Sequence, residues 1–329
     1  MIGKYPLKNI KWSDFLDVFF IVAFFLFGLI FGSFLNVCIH RMPRELSVVS
    51  PRSACPACRH PIAACDNIPV VSWLLLGGKC RHCRTPISPR YAAVELLTGA
   101  LFALSYYVAS HGAASEPIDT SDYSVLAIAI KYSTCCFLLI GLIFTDAETK
   151  LLPDLLTKPG IALGLLFSLL VKMPEPPPLI FSSLLSGRVL SLANSIAGAA
   201  FGSAFLLGIA LLYQAVRGVE GMGRGDVKLM ALIGAFLGMW LTLLVLVLGT
   251  LVGTIFGILL IVVVWRKRLA RRRSRRTEPA SVARAKAWQS AKLIYRNFEI
   301  PFGVFLGAAA LVALFFGNRL LNWYLGLYQ

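Results

Sequence analysis

The sequence predicts an all-α polytopic membrane protein of about eight transmembrane helices with a cytoplasmic four-Cys zinc-binding loop. Three observations predict it. Hydrophobic residues make up 57% of the 329 and charged residues only 15%, whereas a soluble domain carries about 25% charged residues. The apolar residues gather into long runs, and about 20 helical residues suffice to cross hydrocarbon. The basic residues behind the net charge of +16 fall in the gaps between those runs. That is the pattern of cytoplasmic loops and not of a nucleic-acid surface.

The first apolar run, Phe15 to Ile39, is too long for a signal-peptide core and lacks a small-residue cleavage site, so 17–39 reads as a retained first span. Further spans are expected at 92–110, 125–145, 160–171, 190–214, 240–265 and 301–317, with a shorter eighth at 227–238. The domain reading is therefore a first helix at 17–39, a loop domain at 40–91 and a membrane core at 92–317. Gly198, Gly202, Gly208, Gly249, Gly253 and Gly257 are expected to let helices pack closely.

Orientation follows from Lys and Arg. The loops at 40–91, 146–159, 215–228 and 266–300 hold 25 of the 32 basic residues, which makes that side cytoplasmic. Within 266–276, eight of eleven residues are basic. This run reads as an anchor beside anionic membrane lipid, since no aromatic interleaving supports nucleic-acid contact. The proline-rich stretch 173–178 reads as an extended outer loop.

Cys55-Pro-Ala-Cys58 and Cys80-Arg-His-Cys83 are two C-x2-C pairs separated by 21 residues. Four thiolates suit tetrahedral Zn²⁺. Disulfides would not persist on a cytoplasmic face. A c-type haem site needs His after the second Cys, and Arg59 and Arg84 stand there. Four protein ligands leave no open position, so the metal would staple the loop and not catalyse. Cys65 is expected as a spare buried thiol, and Cys38, Cys135 and Cys136 as small apolar residues within spans. His60 and His82 flank the pairs without being needed as ligands.

Two carboxylates stand where spans end. Asp146 closes the third long run, and Asp226 opens the short one after Gly223-Arg-Gly225. For either alone, helix capping or an ion pair with Lys150, Lys158 or Lys228 is a sufficient account. As a pair at one depth they suggest an aspartyl dyad, because two close carboxyls cannot both ionise cheaply and share a proton. Gly223 and Gly225 would admit a substrate backbone. Pro153 would help to stop the helix after Asp146. The residues alone leave both readings open.

Several motifs occur in one order along nearly the whole chain. They are Gly32-Ser-Phe-Leu-Asn-Val-Cys-Ile-His-Arg-Met-Pro43, Ser47-Val-Val-Ser-Pro-Arg52, the Cys pairs and Asp66-Asn-Ile-Pro-Val-Val-Ser-Trp-Leu74. Pro86-Ile-Ser-Pro-Arg-Tyr91, Glu95-Leu-Leu-Thr-Gly99, the Asp146 and Asp226 segments and Ile300-Pro-Phe-Gly303 complete the set. The set resembles the type IV prepilin peptidases, or prepilin leader peptidase/N-methyltransferases. The resemblance implies catalytic Asp146 and Asp226, with Asp154 in support. It also implies cleavage of prepilins or pseudopilins after the Gly of a basic leader, at the cytoplasmic face of a bacterial inner membrane. The Cys-bearing loop accompanies family members that also N-methylate the new N-terminus with S-adenosylmethionine, and Glu95 and Asp66-Asn67 are the places to look for the donor. The stretches 172–189 and 266–299 are longer than the family pattern needs, and Cys65 replaces a bulkier residue. A different class, a proton-coupled transporter or an assembly scaffold with a zinc loop, would use the same aspartates as a relay.

Overall fold

The computed structural model describes residues 12–111, 122–171, 187–219, 223–274, 279–296 and 301–327. Among these residues the chain is helical, with no strand beyond two isolated bridges. The helices are α1 (Trp12–Arg41), α2 (Val71–Leu75), α3 (Arg90–His111), α4 (Asp122–Thr149), α5 (Asp154–Leu170), α6 (Gly187–Arg217), α7 (Arg224–Leu237), α8 (Met239–Ser274), α9 (Ala280–Arg296) and α10 (Phe302–Gly326).

Six of these, α1, α3, α4, α6, α8 and α10, are long and apolar enough to cross a membrane. The expected count of eight is thus not met by length. The short runs at 160–171 and 227–238 fall in α5 and α7, of 17 and 14 residues. Fourteen residues rise only about 21 Å, short of the roughly 30 Å of hydrocarbon. α7 is apolar because protein surrounds it: Leu229, Met230, Leu232, Ile233 and Phe236 are each at most 1% exposed. It packs against α5, α6, α8 and α10.

Small residues set these contacts. A Cβ on Gly234 would lie 2.2 Å from the carbonyl carbon of Gly198, so α6 and α7 touch backbone to backbone. A Cβ on Gly28 would likewise meet the Cα of Gly99 at 2.7 Å, where α1 crosses α3. Gly202 and Gly249 are packed against neighbouring helices in the same way, whereas Gly208 faces open space. Gly238, at φ +77°, parts α7 from α8, and the Asn194 Oδ1 accepts the Met239 N–H at 3.0 Å beside it.

The basic stretch expected as a loop at 266–300 is largely helical. α8 runs on to Ser274, and α9 returns along it. Ala283, Ala287 and Ala291 form its buried stripe, at the i, i+4, i+8 spacing of one helical face. The density of Arg and Lys conceals that stripe in the sequence. The proline-rich stretch 173–178 and the N-terminal lysines at 4, 8 and 11 lie outside the described residues.

Candidate active site

Four helix ends converge around Asp146. α4 stops at Thr149, with Lys150 in the left-handed region (φ 56°) and its N–H on the Asp146 carbonyl at 2.9 Å. Pro153 then stands as the N-cap of α5. Asp146, on the last turn of α4, is 5% exposed. Its Oδ2 accepts the Val304 N–H at 3.0 Å. That amide belongs to the first turn of α10, where backbone donors have no partner within the helix and the dipole favours an anion.

Asp226 sits in the first turn of α7, half-buried. Gly303 brings it to Asp146: a Cβ there would lie 2.9 Å from Oδ2 of Asp146 and 3.3 Å from Oδ1 of Asp226. The two carboxylates predicted from the sequence therefore crowd a single point, and glycine leaves it open. Gly225 abuts Leu152 of the α4–α5 turn, to whose side chain a Cβ would approach within 3.1 Å.

Asp154 ties the same ends from outside. Its carboxylate pairs with Lys158 one turn on, at 2.7 Å, and with Lys228 on α7 at 2.5 Å. Lys158 first, and then Lys228, hold the Asp154 carboxyl below the usual carboxylate range. Arg90 pairs with Glu148, joining the start of α3 to the end of α4.

The cysteine loop holds Cys55, Cys58, Cys80 and Cys83 with all four sulfurs within 4.8 Å of one another. Sγ of Cys55 and Sγ of Cys83 are 3.7 Å apart. A tetrahedron with metal–sulfur bonds of about 2.3 Å has edges of about 3.8 Å, so the cluster fits a zinc-sized ion. The two halves are copies. Cys55-Pro-Ala-Cys-Arg-His-Pro-Ile62 and Cys80-Arg-His-Cys-Arg-Thr-Pro-Ile87 share a C-x-x-C-R-x-P-I repeat. Arg59 and Arg84 both take left-handed φ, 57° and 59°. The first-cysteine N–H of each half bonds a carbonyl five residues on, Cys55 to His60 at 3.0 Å and Cys80 to Thr85 at 2.9 Å. The Thr85 hydroxyl first, then its amide, draw the Cys83 thiol down to about 6. His60 and His82 stack on each other at 4.4 Å. Cys38, Cys135 and Cys136 are buried as expected, but Cys65 is exposed, because it lies on the outer side of the turn at Ala64–Asn67.

Residues 26–109 match the bacterial peptidase A24 N-terminal domain, and residues 133–258 match the type IV leader peptidase family. The chain is 34% identical to the prepilin leader peptidase/N-methyltransferase of Aeromonas hydrophila, over 92% of both chains. It is 39% identical to that of Klebsiella pneumoniae over 72% of this chain and 88% of the relative, and 33% identical to that of Pseudomonas aeruginosa over 93% of each. The chain belongs to the type IV leader peptidase family. No solved structure matches it.

In this leader peptidase family member, three contacts of the site go beyond the sequence reading. Gly303 and Val304 received no role, although Pro301 ahead of an apolar run signals a helix start with free amides. Lys228, in the sequence an ion-pair candidate for Asp146 or Asp226 taken singly, pairs with Asp154. Glu95, 8% exposed on α3, accepts the Val70 N–H at 2.7 Å and so fastens the cysteine loop to the membrane helices. Val70 has φ 61°, a costly conformation for a β-branched residue.

Proposed function

We propose that the chain is a membrane aspartic endopeptidase that cuts the leader from prepilins or pseudopilins, and that it also methylates the amine so exposed. The observation that carries the first activity is the convergence of Asp146 and Asp226 on the point that Gly303 leaves open. Two carboxyls around one point hold one proton between them. A backbone amide bonds the ionised form best, which assigns the charge to Asp146 and the proton to Asp226. Asp146 takes a proton from water as the oxygen attacks the scissile carbonyl, while Asp226 gives its proton to the carbonyl oxygen. On collapse of the tetrahedral diol the C–N bond breaks, Asp146 protonates the leaving amine and Asp226 regains its proton. Gly303, and Gly223 with no side chain within 4 Å of where its Cβ would stand, leave room for an extended substrate backbone, whereas Gly225 is closed by Leu152.

The site lies at the cytoplasmic face of the inner membrane in this reading, on the side that collects 25 of the 32 basic residues. The four cysteines hold structural Zn²⁺, with no ligand position left for chemistry. S-adenosylmethionine, implied by the relatives' names, supplies an electrophilic methyl group when bound.

One experiment tests both activities: incubation with a prepilin and isotope-labelled S-adenosylmethionine, then mass spectrometry of the mature N-terminus. The expected product is truncated after a Gly and heavier by one labelled methyl. An uncut precursor would refute the peptidase, and an unlabelled mature chain would refute the transferase.

A further inference from the structure

We propose that residues 68–78 of the cysteine loop form a membrane anchor, dipping into the leaflet at which α1 ends and α3 begins. The stretch Ile68-Pro-Val-Val-Ser-Trp-Leu-Leu-Leu-Gly-Gly78 carries no charge, with Asp66 before it and Lys79 after it. An apolar run of about 10–14 residues is too short to span a bilayer and belongs either to a protein core or to the membrane interface. This run is not core. Around α2 it turns Ile68, Val71, Leu74 and Leu75 outwards, and the last two are 63% and 82% exposed. Contiguous apolar surface of this kind marks a place of contact.

Depth and backbone bonding identify lipid as what covers it. The Val70 N–H donates to the Glu95 carboxylate at 2.7 Å, so α2 hangs from α3. Glu95 stands about 7.5 Å inside α3, which starts at Arg90, and packs on Gly32, about 13.5 Å before α1 ends at Arg41. By both helices it lies within a membrane span, which holds α2 at the bilayer boundary and not out in water. Backbone donors at that depth must find partners inside the protein. The Ile68 N–H bonds the Ser72 Oγ at 3.1 Å. At the far end the N–H groups of Gly77 and Gly78, both at positive φ, turn back onto the Leu74 and Trp73 carbonyls at 3.0 and 2.8 Å. A segment bathed in water could leave these donors to solvent, and neither a buried Glu95 nor a left-handed Val70 would be needed. Trp73, its indole N–H on the Ile87 carbonyl at 3.1 Å, and Lys79 then flank the segment with the aromatic and basic residues that favour an interface. Cys80 follows Gly78 by two residues, so the anchor sets the height of the cysteine cluster over the bilayer.

The test puts a diazirine-bearing amino acid at position 75 of the full-length protein, in the membranes of the cells that make it. After illumination, mass spectrometry reads what the carbene has captured. Phospholipid adducts should form at position 75, whereas the same probe at position 57, exposed in the first cysteine half, should capture water. The probe replaces an exposed side chain, so the fold is not at stake. Water at position 75 would overturn the anchor, and capture of protein there, a second copy or another chain, would overturn lipid as its occupant. Lipid at both positions would show that the whole loop lies on the bilayer, with no discrete anchor. Combined with the probe at 75, Glu95→Ala should lose the lipid adduct, and Glu95→Gln, which keeps an acceptor for the Val70 N–H, should retain it. An adduct undiminished in Glu95→Ala would overturn the positioning role of Glu95.

Discussion

Gly303 faces the Asp146 carboxylate so closely that a methyl group in place of its hydrogen would sit 2.9 Å from Oδ2. The same methyl would lie 3.3 Å from Oδ1 of Asp226. Gly303→Ala carries no helix-propensity penalty, since Ala is the better helix former by about 1 kcal/mol. Its effect should fall on the carboxylates and on the space a substrate needs. We expect cleavage of a prepilin to slow by about a hundredfold, a misplacement of the order of 1 Å being worth that much, with thermal unfolding unchanged. A wild-type rate in purified protein would remove Gly303 from the site.

Asp146→Asn and Asp226→Asn should each leave the precursor uncut in membranes that contain the variant. Asn keeps the shape and, at 146, an oxygen to accept the Val304 amide, so the fold should survive. What is lost is the proton cycle, and general acid–base catalysis contributes roughly 10²–10⁴-fold. A transporter or scaffold would behave in the opposite way, with both variants processing precursor at the normal rate. Normal cleavage by both would end the dyad assignment.

That Asp146 and Asp226 pair was suggested in the sequence because acidic residues are scarce, only 16 in the chain, and these two stand at span ends, although capping or an ion pair accounted equally well for either alone. What joins them was not legible. Gly303 lies far along the chain from both, and one glycine among 27 carries no signal of which neighbour it admits. The grouping of the four cysteines was legible, since two C-x2-C pairs can bring their sulfurs together. Its internal repeat was equally visible in the letters, from Cys55 to Ile62 and from Cys80 to Ile87. α7 misled for a physical reason: hydropathy cannot tell a helix wrapped by protein from one facing lipid. α9 misled in the other direction, since its buried face is made of alanines that a hydropathy reading passes over.

The α6–α7 contact makes a prediction about stability alone. Gly234→Ala would place a Cβ 2.2 Å from one backbone atom of Gly198 and 2.3 Å from another, and backbone cannot rotate away. Overpacking of this kind costs on the order of 3 kcal/mol, which exceeds the roughly 1 kcal/mol that Ala contributes over Gly in a helix. Denaturant titration in micelles should show a lower midpoint. An unchanged or higher midpoint would mean that α6 and α7 do not meet at these glycines.

Lys228 joins Asp154 across the two helix starts that flank the dyad. The pair is exposed, so breaking it should scarcely move stability. Lys228→Met should instead slow cleavage several-fold by freeing the first turn of α7 that carries Asp226, a few per cent of the loss expected from Asp226→Asn. The folded carboxyl of Asp154 is depressed, so the bridge is present at neutral pH and is lost only as pH falls through that lowered value. High salt should reproduce part of the effect in the wild type and none in Lys228→Met. A rate equal to wild type at low salt would show that the bridge positions nothing.

Removing the metal should separate the two activities. Cys55→Ser or Cys80→Ser leaves three thiolates, and a four-ligand structural site that loses one ligand loses its closed tetrahedron. Each cysteine also anchors one half of the repeat through its own N–H, to His60 or to Thr85, so both halves of the loop should loosen. Asp146 and Asp226 stand at the ends of α4 and α7 and meet at the start of α10, so the pair is built from helix ends. Elemental analysis should find zinc lost from the purified variants, methylation of mature pilin should fall by about a hundredfold, the upper end of the cost of disturbing a metal's surroundings, and cleavage should fall by less than about tenfold. A strong chelator applied to the wild type should give the same split, restored by added Zn²⁺. Full zinc content in both cysteine variants would contradict the four-thiolate site, and equal loss of both activities would place the loop within the peptidase itself.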